Sequence, residues 1–428
     1  MKKVLFISYM FPPIAGSGIQ RPLKFVKYLP EFGIEPIVFC PQHAVWRAND
    51  PESAEYVFLR WTKIYRCGID RLKRYFNLRF KRNCRRHPYF YYIALKYIWF
   101  IDFQSAWYFE CRKEVTRIAQ RENVDCVLTT SPPHSTHMFG QHLKKKLNLP
   151  WVMDLRDAMF DDATNRKAAV DCFRPLIHYM YEKSFYSLAD RIVTVSENIL
   201  DTMSQRHPDL KLRGKTSIIT NGFDEDDFAG LKPMRREKGS LQIIYTGSFM
   251  GKQTPFYFLE ALQMLFRRGA ISPSDVLIRF IGFFSQRIRI LMKRYAEEIP
   301  IEIHGLKSYQ TSLRYQKSAD LLLLIVSIDE NEGGSQIYTG KVFEYIGAQR
   351  SIFAIIPDGP LKKLIERGRF GVTAPPKNIN AIAEKLKHII LHWKERGSLP
   401  YNPNMGLRSQ FSRRKLTADL ASNIYGML

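Results

Sequence analysis

At 428 residues the chain exceeds what one hydrophobic core serves, because cores stop growing at roughly 250–300 residues, so two domains are expected. Its 45% hydrophobic and 25% charged residues exclude an intrinsically disordered polypeptide. The 65 Lys and Arg against 41 Asp and Glu give a net charge of +24, which favours a polyanionic partner: nucleic acid, an anionic membrane or phosphorylated substrates.

In chain order, residues 4–8 form a continuous apolar strand that runs into the Gly/Pro loop FPPIAGSG. Helical spacing follows over 20–29, and a second strand over 35–40. Strand, glycine loop, helix and strand open a βαβ unit and so a parallel sheet. The apolar run at the N-terminus is too short for a signal peptide, and Pro12-Pro13 follow it. Residues 61–86 carry many Arg and Lys with Asp70 as the only acid, and residues 88–109 are dense in aromatics. Together, at about 58–112, they read as an insertion on the first domain, outside its sheet. Further strands are expected at 125–130, 151–154 and 191–195, with Ser196 as a helix N-cap. Residues 218–224 read as a strand entering an Asn-Gly turn.

The charged segment LKPMRREKGS at 231–240 reads as the linker between a first domain, 1–230, and a second, 241–405. Strands are expected in the second at 241–247, 276–282, 301–305, 321–326 and 351–356. Residues 406–428 are expected to return as a helix to the first domain, because Leu416, Leu420, Ile424 and Leu428 recur at helical spacing and need a partner surface. Six cysteines, from Cys40 to Cys172, form no C-x-x-C pair and no metal-ligand spacing, and read as free thiols of a reducing compartment.

Three glycine-bearing loops carry the chemistry. Gly16-Ser17-Gly18 lets backbone amides approach a phosphate or sugar, or is a tight structural turn; it lacks the third glycine of a dinucleotide fingerprint. Thr246, Gly247 and Ser248 end a strand, and Lys252 follows as a nearby cation, which suits a diphosphate or is a purely structural turn. In the third loop, Gly333 to Tyr345, a helix opens with Lys341 and Glu344 three residues apart, on one face at its positive end. That lysine can neutralise phosphate oxygens and that carboxylate can accept ribose hydroxyls; the plain alternative is a surface ion pair. Asp224-Glu225-Asp226 imitates a D-x-D metal motif, but lies beside an Asn-Gly turn with no further ligands.

FPP-x-x-GSG-x-QR, SPP-x-S, DLRD, ADRIVTVSE, ITNGFD, YTGS and K-x-x-E-Y occur in this order over nearly the whole chain. Together they resemble glycosyltransferase family 4, in the subgroup that builds bacterial surface polysaccharides. The resemblance implies the GT-B fold, two Rossmann-like parallel-sheet domains facing a cleft. It implies a retaining, metal-independent hexosyl transfer without a cofactor. The donor, a UDP- or GDP-sugar, would bind the second domain, and a saccharide or lipid-linked acceptor the first.

By this resemblance Glu344 holds the ribose, as the second glutamate of the family's E-x7-E motif. Lys341, Lys252 and the Thr339 and Gly340 amides face the diphosphate. Gly16 and Gly18 border the donor phosphate and sugar. The first glutamate of the motif is replaced by Gln336, which is assigned to the donor sugar. Asp157 stands where many relatives carry a functional histidine and takes a catalytic or sugar-orienting role. Arg156 is expected to be an ion-pair partner between two acids. His134 lines the acceptor site or is an ordinary loop histidine.

The charge and the aromatic block place the protein at the cytoplasmic face of a membrane, peripherally bound. A sugar-nucleotide epimerase or phosphorylase on the same scaffold, and an inactive sugar-nucleotide-binding protein, are alternative readings. A nucleic-acid-binding protein is disfavoured, since the basic and aromatic residues form successive blocks and no known module signature occurs.

Overall fold

A computed structural model describes residues 1–14, 16–42, 57–68, 101–102, 104–159, 174–234, 239–249, 251–326 and 340–428. The chain divides into two compact units, Met1–Thr220 with Arg413–Leu428, and Asn221–Ser412.

The first unit is built on a seven-stranded parallel sheet: β1 (Lys2–Ser8), β2 (Ile34–Cys40), β3 (Lys63–Arg66), β4 (Cys126–Ser131), β5 (Trp151–Leu155), β6 (Arg191–Thr194) and β7 (Thr216–Ile218), in the order β3-β2-β1-β4-β5-β6-β7. The inner strands are apolar runs because helices cover both faces and leave no solvent side to alternate toward. On one face Trp107 stacks on Phe39 with centroids 5.5 Å apart, and Phe139 packs edge-on to both. On the other, Leu23 and Val26 of the helix Gln20–Tyr28 meet Leu416, Leu420 and Ile424 of the C-terminal helix Arg413–Tyr425 over Val4, Phe6 and Val38. The terminal helix is thus part of the first unit's core.

The second unit carries a six-stranded parallel sheet: β8 (Leu241–Thr246), β9 (Val276–Ile281), β10 (Ile301–His304), β11 (Leu321–Ile325), β12 (Ser351–Ile355) and β13 (Gly371–Ala374), in the order β10-β9-β8-β11-β12-β13. Two of its helices start on serine caps: Ser285 Oγ accepts the Ile288 amide and Ser308 Oγ that of Thr311. Ser196 caps the helix Glu197–Arg206 of the first unit in the same way.

Three sequence expectations are corrected. The units divide at 220/221, not at the charged segment 231–240, because the chain enters the second unit's core early. Phe223 is buried there beside Val342 and Phe343, and its amide donates to the Phe411 carbonyl at 3.0 Å. The strand expected over 218–224 lies earlier, at Thr216–Ile218, and Asp224 caps the short helix Glu225–Phe228. That cap explains the acidic Asp224-Glu225-Asp226 run, with Asp224 Oδ1 accepting the Asp226 amide at 3.1 Å. The flanks of the supposed insertion belong to the fold, because β3 pairs with β2 and Trp107 of the helix Ser105–Arg121 is core. Residues 69–100 and 103 lie outside the described residues.

Candidate functional site

Each sheet reverses its order once, between β1 and β4 in the first unit and between β8 and β11 in the second. Ligands of open parallel sheets bind beyond the carboxyl ends of the strands at such a reversal. In the first unit those ends feed residues 9–18 and 132–136. In the second they feed residues 247–252 and 327–339; residue 250 and all of 327–339, Gln336 and Thr339 among them, lie outside the described residues.

In the second unit Gly340 opens the helix Gly340–Ala348. Lys341, on its first turn, reaches back to the end of β8, where Nζ donates to Tyr245 OH at 2.5 Å and to the Ser248 carbonyl at 3.2 Å. The same ammonium lies 4.4 Å from the Tyr245 ring centroid, and Phe249 stacks on that ring with centroids 4.4 Å apart. Enclosure lowers the Lys341 pKa to about 8, with the Glu344 carboxylate opposing the fall. Gly247 makes the approach possible. Its φ of +114° suits glycine, and a Cβ there would meet Lys341 Cε at 2.4 Å. Lys252 is exposed on the turn beyond.

Glu344 sits one turn further along, and its Oε2 accepts from Gln316 Nε2 at 3.1 Å. The same Nε2 donates to Thr246 Oγ1 at 3.0 Å. Tyr345, fully buried, takes the Thr246 amide on its hydroxyl at 3.0 Å and donates to the Leu323 carbonyl at 3.3 Å. The end of β8 and the middle of β11 are thereby tied to the helix that carries Lys341 and Glu344. A cation and a carboxylate stand at a helix N-terminus whose first amides have no intrahelical partner. The arrangement suits a ligand with an anionic end and a hydroxyl-bearing end.

In the first unit two residues of the DLRD motif join the loops at the sheet reversal. Asp154 and Arg21 form a buried ion pair, Nη2 to Oδ1 at 2.7 Å, and Thr130 Oγ1 donates to Asp154 Oδ2 at 2.6 Å. Arg156, expected as an ion-pair partner between two acids, acts on the neighbouring Asp157 carboxyl and also on the backbone of two loops. Its guanidinium donates to the carbonyls of Ser131, Pro132 and Gly18, the last at 2.6 Å, and so clamps the glycine loop to the SPP loop. Gly18 fits closely under it: a Cβ there would lie 2.9 Å from Met10 and 3.7 Å from Arg156. Gly16 takes φ +127°.

Asp157 is the exposed end of this group. Protein atoms crowded about its carboxyl raise its pKa, and the Arg156 guanidinium opposes the rise. His134 opens the short 3-10 helix after the SPP loop. Burial, with the charges of His178 and Arg156 adding to it, lowers its pKa to about 4, so the ring is neutral at physiological pH. Its Nδ1 is buried without a hydrogen-bond partner among the described residues.

No protein-family model and no curated protein matches the chain. Solved structures match it along its length. HepE from Anabaena, in complex with UDP and glucose, aligns at 12% identity over 100% of both chains with a TM-score of 0.66. The chain has the GT-B fold. A glycosyltransferase from Rickettsia africae aligns at 15% identity over 100% of this chain and 94% of its own, with a TM-score of 0.58. WaaG, a glycosyltransferase involved in lipopolysaccharide biosynthesis, aligns at 12% over 99% and 100%, with a TM-score of 0.54. At such identities the likeness is one of fold. GT-B architecture agrees with the two parallel sheets, each with its own reversal.

Sequence reasoning gave no site role to Tyr245, Gln316 or Arg21, and read Thr246 only as part of the strand-end turn with Gly247 and Ser248. Tyr245 read as a strand residue and Gln316 as one polar residue of an amphipathic helix. Arg21 had a signal, since an arginine directly after a glycine loop in an otherwise buried helix needs an acid.

Proposed function

We propose that the chain is a retaining glycosyltransferase that moves a sugar from a nucleotide-sugar donor to a saccharide or lipid-linked acceptor in cell-surface polysaccharide biosynthesis. The carrying observation is the placement of Lys341 and Glu344 on the first turns of one helix at the second sheet's reversal, with Lys341 held between Tyr245 and Ser248. Glu344 takes the ribose hydroxyls. Lys341, Lys252 and the helix amides, Gly340 among them, take the diphosphate, and Gly247 and Ser248 flank it. Gln336 is assigned to the donor sugar and the Thr339 amide to the diphosphate.

As the bond between the sugar and the phosphate oxygen breaks, negative charge grows on the diphosphate. A cation and helix N-terminus already in place stabilise that charge with little reorganisation. No metal is needed in this scheme. The acceptor hydroxyl attacks the face that the leaving group vacates, which retains the anomeric configuration. In the first unit His134, Arg156 and Asp157 form the acceptor side, while Gly16 and Gly18 are assigned to the donor phosphate and sugar. Asp157 orients the acceptor, and Arg156 supports it by holding the two loops together.

HepE's complex with UDP and glucose supports a nucleotide-sugar donor, and WaaG's part in lipopolysaccharide biosynthesis supports a surface-polysaccharide role. Peripheral attachment to an anionic membrane on the cytoplasmic side completes the reading; nucleic acid is not among the proposed partners. Among the described residues no helix is long and apolar enough to cross a membrane. Exposed Phe109, Arg112 and Lys113 on one helix and Lys145 and Lys146 on the adjacent one support surface attachment.

A thermal-shift screen against UDP-, GDP- and ADP-sugars tests the donor. A ligand at 100 times its Kd stabilises the native state by about 2.7 kcal/mol. One class of sugar nucleotide should raise Tm, and turnover should give a product with the donor's anomeric configuration. No shift with any class defeats the donor assignment, and an inverted product defeats retention.

A further inference from the structure

Gln316 has no exposed surface, and it lies on the inward face of the helix Tyr309–Ser318. A buried amide is costly unless its polar atoms are satisfied, so its presence calls for a reason. Both hydrogen bonds of its Nε2 lead to the candidate site, one to Glu344 Oε2 and one to Thr246 Oγ1. A carboxylate oxygen only accepts, so the amide must turn its NH2 toward Glu344. The other end of the chain is equally directional. Thr246 Oγ1 lies 3.5 Å from Tyr345 OH, which donates onward to the Leu323 carbonyl. Gln316 Oε1 has no partner among the described residues. The packing therefore leaves one of its acceptors unused while committing its donors to Glu344 and to the strand end behind it.

We propose that Gln316 is a positioning residue for the donor site: it fixes the Glu344 carboxylate toward a ribose diol and so sets discrimination between ribonucleotides and 2′-deoxyribonucleotides. This rests on the reading of the site as one for a nucleoside diphosphate. A carboxylate free to rotate accepts from one hydroxyl about as well as from two. One pinned through Oε2 keeps a single orientation, and the second hydroxyl then adds its own bond. Gln316 touches no ligand itself; it acts through Glu344.

Calorimetry with UDP, GDP and ADP identifies the diphosphate that binds, and its 2′-deoxy counterpart is measured beside it. The proteins are the wild type, Gln316→Leu, Glu344→Gln and the double variant. Wild type should prefer the ribonucleotide by about 10-fold, the worth of one hydrogen bond to a charged group. Gln316→Leu should lose most of that preference and leave the deoxynucleotide within about 2-fold of wild type, scatter typical of context effects. The double variant should bind no more weakly than Glu344→Gln alone, because the two residues act as one unit.

Equal loss for both nucleotides, or additive losses in the double variant, overturns the proposal. Gln316→Met, of similar length and without a donor, repeats the test if Gln316→Leu unfolds. Loss of cooperative unfolding in both assigns Gln316 to the core alone and also overturns it. A wild type that binds no nucleoside diphosphate removes the donor-site reading as well. Wild-type binding with unchanged selectivity in Gln316→Leu removes only the present inference.

Discussion

Arg21 Nη2 and Asp154 Oδ1 meet at 2.7 Å with both side chains buried, which links the glycine-loop helix to the strand that carries the DLRD motif. Arg21 also donates through Nη1 to the Thr220 carbonyl at 2.7 Å, the last residue of the unit's first segment. The pair spans β1's following helix, β5 and the end of the first segment, so both motifs serve the architecture around the sheet reversal.

Removing the acid leaves a guanidinium buried and unneutralised. Asp154→Ala should destabilise the first unit by about 3–5 kcal/mol. Chemical denaturation followed by a probe in that unit measures it, and a loss under about 1 kcal/mol, the scale of an exposed pair, would contradict the buried-pair account.

Gly247→Ala should weaken nucleotide binding more than its position on a turn would imply. The backbone conformation disfavours a side chain by about 1–2 kcal/mol. The added methyl would also occupy the space of Lys341 Cε, which must swing away from Tyr245. Calorimetric affinity for the bound diphosphate should fall while the overall fold persists by circular dichroism. Unchanged affinity would show that the lysine's observed position does not matter for binding.

How much of this was legible in the sequence depended on whether the signal was local. A parallel strand such as β11 is a continuous apolar run, and Ser196 stands before a helical pattern, so both could be read directly. The partnership of Gln316 with Glu344 could not, since 28 residues separate them and a lone glutamine in an amphipathic helix has no periodic signature. The short β3 and β13 were missed for a related reason. At four residues each, and with KIYR mostly uncovered at the sheet edge, they lack the apolar run that marks an inner strand. Lys341 and Glu344 were found by their spacing, whereas the turn of Lys341 toward Tyr245 depends on Gly247 and the sheet, which spacing does not encode.

Stability should fall as pH drops from 7 toward 5.5. Burial holds His134 near a pKa of about 4 and His137 well below the ordinary 6.5. The unfolded chain therefore takes up protons first. Stability present above pH 6.5 is lost on descending toward the folded pKa, by about 1 kcal/mol per histidine at pH 5.5. Urea denaturation at pH 7.5, 6.5 and 5.5 should show the decline, and His134→Gln should make it shallower, leaving the part that belongs to His137. A flat wild-type profile would contradict the buried neutral state of both rings.

Sedimentation with anionic vesicles should recover the protein at low salt and release it at high salt, since each cation near the surface contributes about 1 kcal/mol. Charge reversal at Lys145 and Lys146 should reduce the bound fraction. Binding that ignores salt, or no binding at low salt, would count against surface attachment.

The central claim is that Lys341 and Glu344 hold a nucleoside diphosphate. Titration calorimetry of the bound diphosphate against wild type, Lys341→Ala and Glu344→Ala tests it most directly. Each substitution should weaken binding by about 10- to 100-fold, the scale of one lost charge-assisted contact, with little change in ligand-free Tm. Because Lys341 titrates at about 8, wild-type affinity should also fall as pH rises from 7 to 9, and Lys341→Ala should lose that dependence. Wild-type affinity retained in both variants would contradict the account.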